Sequence, residues 1–241
     1  MKTILITGAS QGIGAATAEA FLDAGWHVGL LARRKEPLEA MAKGRAATVL
    51  AADVTDEAAV DAAVSTLAAQ TGRLDALFNN AGMFGPQTTI DEVDYAAWRE
   101  VVEVNLNGMF LAARAAFRQM RAQSPQGGRI INNGSVSAHT PREGSIAYTS
   151  TKHAVTGLTK TLSLDGRPYD IACGQIDIGN ARTPMVEALD ARRAADGLSK
   201  VPSMDVEDAA RAVLTMAELP LEANVQFMTI MATKMPYIGR G

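Results

Sequence analysis

Tyr148 and Lys152 stand four positions apart in the stretch Tyr148-Thr149-Ser150-Thr151-Lys152. On a helix their side chains would rise from one face, with Cβ atoms about 5–6 Å apart. That spacing sets an ammonium beside a phenol. A free tyrosine titrates near 10 and exchanges protons poorly at neutrality, whereas a neighbouring positive charge favours the phenolate and lowers that value. Such a pair suits acid–base work on a substrate oxygen. The same spacing occurs on ordinary solvated helix faces, so it becomes informative only if other segments bring a phosphate-binding loop, a hydroxyl donor and a cofactor-shaped crevice to it.

The chain supplies candidates for each. Ile4-Leu5-Ile6 reads as a short buried strand that stops at Thr7-Gly8-Ala9-Ser10-Gln11-Gly12-Ile13-Gly14. A helix follows through Leu22, with Ile13, Thr17, Ala20 and Phe21 on one face and Gly25 closing it. Strand, glycine turn and helix N-terminus in that order form an anion site, where unpaired N–H groups and the helix dipole meet a negative group. The spacing is Gly-x3-Gly-x-Gly rather than the commoner G-x-G-x-x-G. A second strand, His27 to Ala32, runs into Arg33-Arg34-Lys35. Dinucleotide folds place an acid about 20 residues past the loop for the ribose 2′-hydroxyl, or an arginine for a 2′-phosphate. With Arg33 at that place, NADP(H) is the expected cofactor and NAD(H) the possible one.

A third strand, Ala46 to Leu50, ends before Asp53-Val54. The Asp53 carboxylate has two readings, acceptor for an adenine amino group or cap for a turn with Thr55. A helix over Glu57 to Ala69 leads to a fourth strand, Leu74 to Phe78, and then to Asn79-Asn80-Ala81-Gly82. Asparagines there are turn formers, and at the carboxyl end of a parallel sheet they also sit where ligands bind. A long helical stretch from near Asp94 carries Trp98, Val101, Val102, Leu106, Met109 and Phe110 on a broad face. Asn105 interrupts that face, either as a helix-to-strand clamp or as a group holding a water near the reaction centre. A fifth strand, Arg129 to Asn132, precedes Gly134-Ser135 and a loop with Ser137, His139, Pro141 and Gly144. The helix of Tyr148 and Lys152 comes next. A sixth strand spans Ile171 to Ile176, and Ile178-Gly179-Asn180-Ala181-Arg182-Thr183-Pro184 opens a charged segment, mobile over about 183–200. A last helix starts at Asp205, and Asn224 to Ile230 makes a seventh strand.

Strands alternating with helices call for right-handed crossovers. The expected fold is α/β, a doubly wound, mostly parallel seven-stranded sheet of Rossmann type with helices on both faces. All the loops named above then leave one edge of it. With 241 residues and 47% hydrophobic content, one domain over 1–241 can hold a sizeable core. A net charge of −3 leaves no surplus for nucleic acid or an anionic membrane surface. Neither a signal peptide nor a membrane span is legible, and a cytoplasmic protein is expected. Cys173 reads as a small core residue, and no metal site is expected.

Taken together, Thr7-Gly8-x-x-x-Gly12-Ile13-Gly14, Asp53, Asn79-Asn80-Ala81-Gly82, Asn105, Ser135 and Tyr148-x3-Lys152 resemble the short-chain dehydrogenase/reductase family along nearly the whole chain. The resemblance implies an NAD(P)-dependent oxidoreductase with a catalytic tetrad of Asn105, Ser135, Tyr148 and Lys152. It implies Asp53 and Val54 at the adenine site, Asn79 and Ala81 beside the cofactor, and Ala181 and Thr183 at the nicotinamide end. The substrate is then a small ketone, aldehyde or 3-oxo/3-hydroxy acid, or the matching secondary alcohol. The cofactor set is Gly8, Ser10, Gln11, Gly12, Ile13, Gly14, Arg33, Arg34, Asp53, Val54, Asn79, Ala81, Gly82, Tyr148, Lys152, Ile178, Ala181 and Thr183. A homo-oligomer is implied, tetramer or dimer, with the Trp98–Phe117 helix and the Met-rich tail as contact surfaces. Two departures stand out. Ile178-Gly179 replaces the usual Pro-Gly, which suggests a less restrained backbone there, and the tail Phe227–Pro236 lacks the usual glycine-rich close. His139 is read as an exposed loop histidine and Arg182 as a solvated arginine, each with substrate contact as the rival reading. The alternatives to a reductase are a catalytically silent NADP-binding regulator and an NAD-dependent polyol or hydroxy-acid dehydrogenase.

Overall fold

A computed structural model describes residues 1–195 and 197–238. Seven strands form one parallel sheet: β1 (Thr3–Thr7), β2 (His27–Ala32), β3 (Ala47–Ala51), β4 (Ala76–Asn79), β5 (Gly128–Asn133), β6 (Ile171–Ile178) and β7 (Phe227–Ile230). Their order is β3-β2-β1-β4-β5-β6-β7. Every pair is parallel, so each connection crosses a face. The order reverses between β1 and β4, and α/β sheets open a ligand crevice at such a point.

Strand alternation assigns residues to the two faces. Ile4, Ile6, Ala76, Phe78 and Ile131 pack with Phe21 of α1 (Gly12–Asp23), Leu38 of α2 (Lys35–Ala42) and Val213 of α8 (Val206–Glu218). Leu5, Leu77 and Ile130 point the other way. They pack on Val64 and Leu67 of α3 (Glu57–Thr71) and on Ala112, Ala116 and Met120 of α5 (Gly108–Ala122). Burial on both faces is why the central strands read as unbroken apolar runs.

α4 (Tyr95–Val102) does not pass directly into α5. A π turn, Glu103–Asn107, lies between them and contains Asn105. α6 (Ile146–Gly166) carries Tyr148 and Lys152. The 183–200 stretch contains α7 (Pro184–Ala195), of which Val186 is the buried residue.

Several boundaries differ from the sequence reading, among them the start of β7, at Phe227 rather than Asn224. β4 begins at Ala76, not Leu74, because Asp75 turns aside to accept from Thr3 N–H at 2.7 Å and to pair with Arg73. β6 runs on to Ile178, which pairs with Ile230, and Gly179 N–H donates to Ile230 O at 2.7 Å. The exit at Ile178-Gly179 is therefore tied to β7, contrary to the looser backbone expected there. The Met-rich tail folds inward, with Met235 buried against Val136.

At the rim opposite the site, Arg129 is 2% exposed. Its guanidinium donates to Asn224 Oδ1 and to the carbonyls of Leu219, Pro220 and Ala223, at 2.9–3.1 Å. It thus closes the end of α8 onto the start of β5.

Candidate active site

The glycine turn after β1 is built for close approach. A Cβ on Gly14 would lie 2.2 Å from Gly8 O, so the helix can begin against the turn only with glycine there. Gly12 holds φ at +56°, a conformation side-chain-bearing residues rarely adopt. Gln11 at the N-cap makes no capping bond back to the helix, which leaves the first N–H groups of α1 for another acceptor. Its side chain instead accepts from Arg34 Nη2 at 2.7 Å. Backbone donors at a helix start, with Arg33 and Arg34 beside them, fit the diphosphate and extra phosphate of a nicotinamide dinucleotide.

From this turn a crevice of about 470 Å³ extends to Tyr148 and Lys152. Gly8, Ser10, Gln11, Gly12, Ile13, Arg33, Arg34, Asp53, Val54, Ala81, Gly82, Ile178 and Thr183 all line it. Gly14 lies under the floor, and Ala181 lines a smaller adjoining pocket of about 90 Å³. Both readings of Asp53 fit the structure. Oδ1 accepts from the Thr55 N–H and hydroxyl at 3.0 and 2.9 Å, and Oδ2 faces Arg33 across 4.0 Å at the crevice.

Asn79 does not reach the crevice. It shares the face of Leu77, is 1% exposed, and donates to Met109 O at 2.7 Å and Asn132 Oδ1 at 3.2 Å. It is a clamp between β4, β5 and α5. The next residue, Asn80, lines the crevice instead. Asn80 Nδ2 donates to Thr7 O at 2.9 Å, its N–H to Thr7 Oγ1 at 2.8 Å, and its Oδ1 accepts from Asn133.

Tyr148 stands where the crevice meets the smaller pocket and lines both. Ser135 shares the smaller pocket with its phenol, and Phe84 meets its ring edge-on, with centroids 4.9 Å apart. Lys152 is 3% exposed. Its ammonium lies 5.5 Å from the Tyr148 ring centroid and donates to Asn133 O at 2.7 Å. Burial pushes the phenol up. The Ser135 hydroxyl and the Arg142 charge pull it down, and the Asp177 charge adds to the rise. The depression of the phenol expected from Lys152 is not found: the groups that pull it down are Ser135 and Arg142, and burial leads the other way. Burial instead acts on the lysine, which falls to about 8 against the attraction of Asp177.

Asn105 is fully buried. Oδ1 accepts from Met83 N–H, while Nδ2 donates to Met83 O and, at 3.3 Å, to Thr151 Oγ1. Its side chain is committed to clamping the loop after β4. His139 and Arg182 are absent from both cavities. The His139 ring meets the buried Asp177 at 2.9 Å, and Arg182 faces Asp205 at 3.6 Å, well exposed. The sequence marks Asn80 only together with Asn79, as one of two asparagines at the strand end, and the groups missed altogether are Asn133, Phe84, Arg142 and Asp177. Only Asp177 left a signal, as an acid inside the apolar run Ile176-Asp177-Ile178.

The family model described as short chain dehydrogenase matches residues 2–194. The chain belongs to the short-chain dehydrogenase/reductase family. Rabbit (Oryctolagus cuniculus) L-fucose dehydrogenase is 35% identical over 78% of this chain and 66% of that protein. Sulfoacetaldehyde reductase 2 of Chromohalobacter salexigens is 30% identical over 97% and 95%. A 3-ketoacyl-(acyl-carrier-protein) reductase from Brucella melitensis, solved with NADH, superposes with a TM-score of 0.87 at 27% identity, covering 96% of this chain and 97% of that one. This short-chain dehydrogenase/reductase is therefore an NAD(P)-dependent oxidoreductase of alcohols and ketones. Among the described residues no helix is long and apolar enough to cross a membrane.

Proposed function

We propose that the chain is an NADP(H)-dependent oxidoreductase that interconverts a small ketone, aldehyde or 3-oxo acid with the matching secondary or primary alcohol. The observation that carries this reading is the Tyr148 phenol, at the junction of a dinucleotide-sized crevice and a pocket of about 90 Å³ that Ser135 also lines. The small pocket, with Ser137, Ser145 and Asn180 among apolar walls, suits a short polar substrate. Arg33 and Arg34 at the far end of the crevice favour a 2′-phosphate and hence NADP(H).

Gly8, Ser10, Gln11, Gly12 and Ile13 hold the diphosphate, and Asp53 and Val54 the adenine. Ala81, Gly82, Ile178, Ala181 and Thr183 wall the nicotinamide half. When bound, the cofactor supplies or removes the hydride. Ser135 donates a hydrogen bond to the substrate oxygen and so polarises the carbonyl. Tyr148 gives that oxygen its proton in reduction and takes it back in oxidation. Lys152, with a pKa near 8, moves a proton at working pH and is aimed by Asn133 O. Asn105 keeps Met83 and Thr151 in place and offers its backbone carbonyl to a water on the Lys152 side.

The chain works as one domain, with 183–195 and 197–200 movable, in the cytoplasm, as a homo-oligomer. Tyr95 and Phe110, 72% and 48% exposed, mark the face for a second copy, and light scattering that finds a monomer removes that part. The central test follows NADPH and NADH absorbance with a panel of aldehydes, ketones and 3-oxo acids, and NADP⁺ and NAD⁺ with the alcohols. Turnover favouring NADPH is expected. Cofactor binding without turnover on any member would leave a binding protein.

A further inference from the structure

Asp177 is a carboxylate with 1% of its side chain exposed, on β6 directly behind the turn that carries Ser135. A buried carboxylate is costly unless every oxygen is satisfied, and here both are. Oδ1 accepts from Ser135 N–H at 2.8 Å and from Gln175 Nε2 at 2.7 Å, while Oδ2 meets His139 Nε2 at 2.9 Å. Gln175 is itself held by Thr156 and Thr159 of α6. Gly134 completes the fit, since a Cβ there would lie 2.1 Å from Asp177 Oδ1. The 3-10 turn Val136–Ala138 joins the two partners, so Ser135 and His139 grip one carboxylate from the two ends of a single turn. The turn closes on itself as well, with Ser137 N–H donating to Ser135 Oγ at 3.1 Å and Ala138 N–H to Ser135 O at 2.9 Å.

We infer that Asp177 and His139 are positioning residues for Ser135: the carboxylate fixes the backbone from which the hydroxyl reaches the Tyr148 phenol, and His139 secures the carboxylate's remaining oxygen. The inference rests on the reading of Ser135 and Tyr148 as the reacting hydroxyls, and adds two side chains that touch neither cavity. The charged or titratable groups facing Asp177 are His139 from the loop after β5 and Tyr148 and Lys152 from α6. Asp177 opposes proton loss at both of the latter, and Arg142 acts on Tyr148 with the opposite sign.

Three variants separate charge from position: Asp177→Asn, His139→Ala and the conservative His139→Gln. Ultraviolet titration of the phenol, taken as the difference from Tyr148→Phe, isolates one tyrosine of the four. Asp177→Asn removes the negative charge and keeps an oxygen for Ser135 N–H, so the phenol titrates at lower pH. His139→Ala keeps the charge and loosens Ser135, so the phenol loses hydrogen bonding and titrates at higher pH. His139→Gln, with an N–H for Oδ2, returns it to the wild-type value. With NADPH and ethyl acetoacetate, His139→Ala lowers kcat by about ten- to a hundredfold, the scale of a misplaced catalytic group, with the cofactor KM unchanged and rescue by His139→Gln. Phenol titration at the wild-type pH in both His139 variants overturns the inference, and if Asp177→Asn fails to fold this pair decides alone. A wild-type protein inert toward the ester counts against the enzymatic reading, while the titration still decides the positioning.

Discussion

Lys152 gives a prediction in which stability and chemistry pull apart. Burial lowers its ammonium from 10.5 to about 8, and at ~1.4 kcal/mol per tenfold change in proton affinity this costs the folded state about 3 kcal/mol at neutral pH. The cost is full below pH 8. Between about pH 8 and 10.5 the unfolded chain holds the proton more strongly than the folded one, so stability rises with pH across that window. Lys152→Met removes the charge and its pH dependence, and leaves Asn133 O without its donor at 2.7 Å. That loss offsets about 1–3 kcal/mol of the gain. The variant should therefore be about 1 kcal/mol more stable than wild type near pH 7 while losing turnover. Wild type should recover about 2–3 kcal/mol relative to it by about pH 10. Urea unfolding of both proteins at matched pH values isolates this difference, because the other groups cancel. A stability difference that stays flat with pH, or one that moves in favour of Lys152→Met as pH rises, refutes the reasoning.

Tyr148→Phe should lower kcat by about 10²–10⁴, the usual worth of a positioned proton donor, with NADPH affinity by fluorescence titration unchanged. Near-wild-type turnover removes the phenol from the mechanism. Arg33→Asp sets a carboxylate against any 2′-phosphate, and the ratio of kcat/KM for NADPH over NADH should fall at least ~10-fold; an unchanged ratio ends the cofactor assignment. Arg129→Met strips one side-chain and three backbone acceptors of their partner and should cost about 3 kcal/mol in urea unfolding. NADPH affinity stays as in wild type, and a loss of binding at wild-type stability would contradict a purely structural role.

The order of elements was legible because each strand is an apolar run ended by a turn or a charge. β2 could be read to both ends, His27 to Ala32, since Arg33 stops it. β4 was read two residues early because Leu74-Asp75 continues the run on paper, while the Asp75 carboxylate is taken by Thr3 N–H. Helix α7 was hidden by its charges and by its opening Pro184, a residue that serves equally as a loop break and as a first helical position. At the site, spacing pointed to the glycine turn and to Tyr148 with Lys152, and the family resemblance to Ser135, yet neither could say which of two adjacent asparagines lines the crevice. That depends on strand phase, which puts Asn79 with Leu77 and leaves Asn80 for the cleft. Asp177, His139 and Ser135 meet through sheet pairing across about forty residues, a proximity that no local pattern encodes.

The π turn at Glu103–Asn107 has a consequence for how this site can vary. An α turn would hold fewer residues, so excising one position between 103 and 107 would let Tyr95 to Ala122 run as one regular rod. Each residue of an α-helix advances the azimuth by about 100°. The helices on either side would keep their phase, because bonds from i to i+5 become bonds from i to i+4, and it is the residues inside the turn that would be re-aimed, carrying Asn105 away from Met83 and Thr151. Regularity of the rod and grip on the loop after β4 are incompatible here, and a single deletion would exchange one for the other.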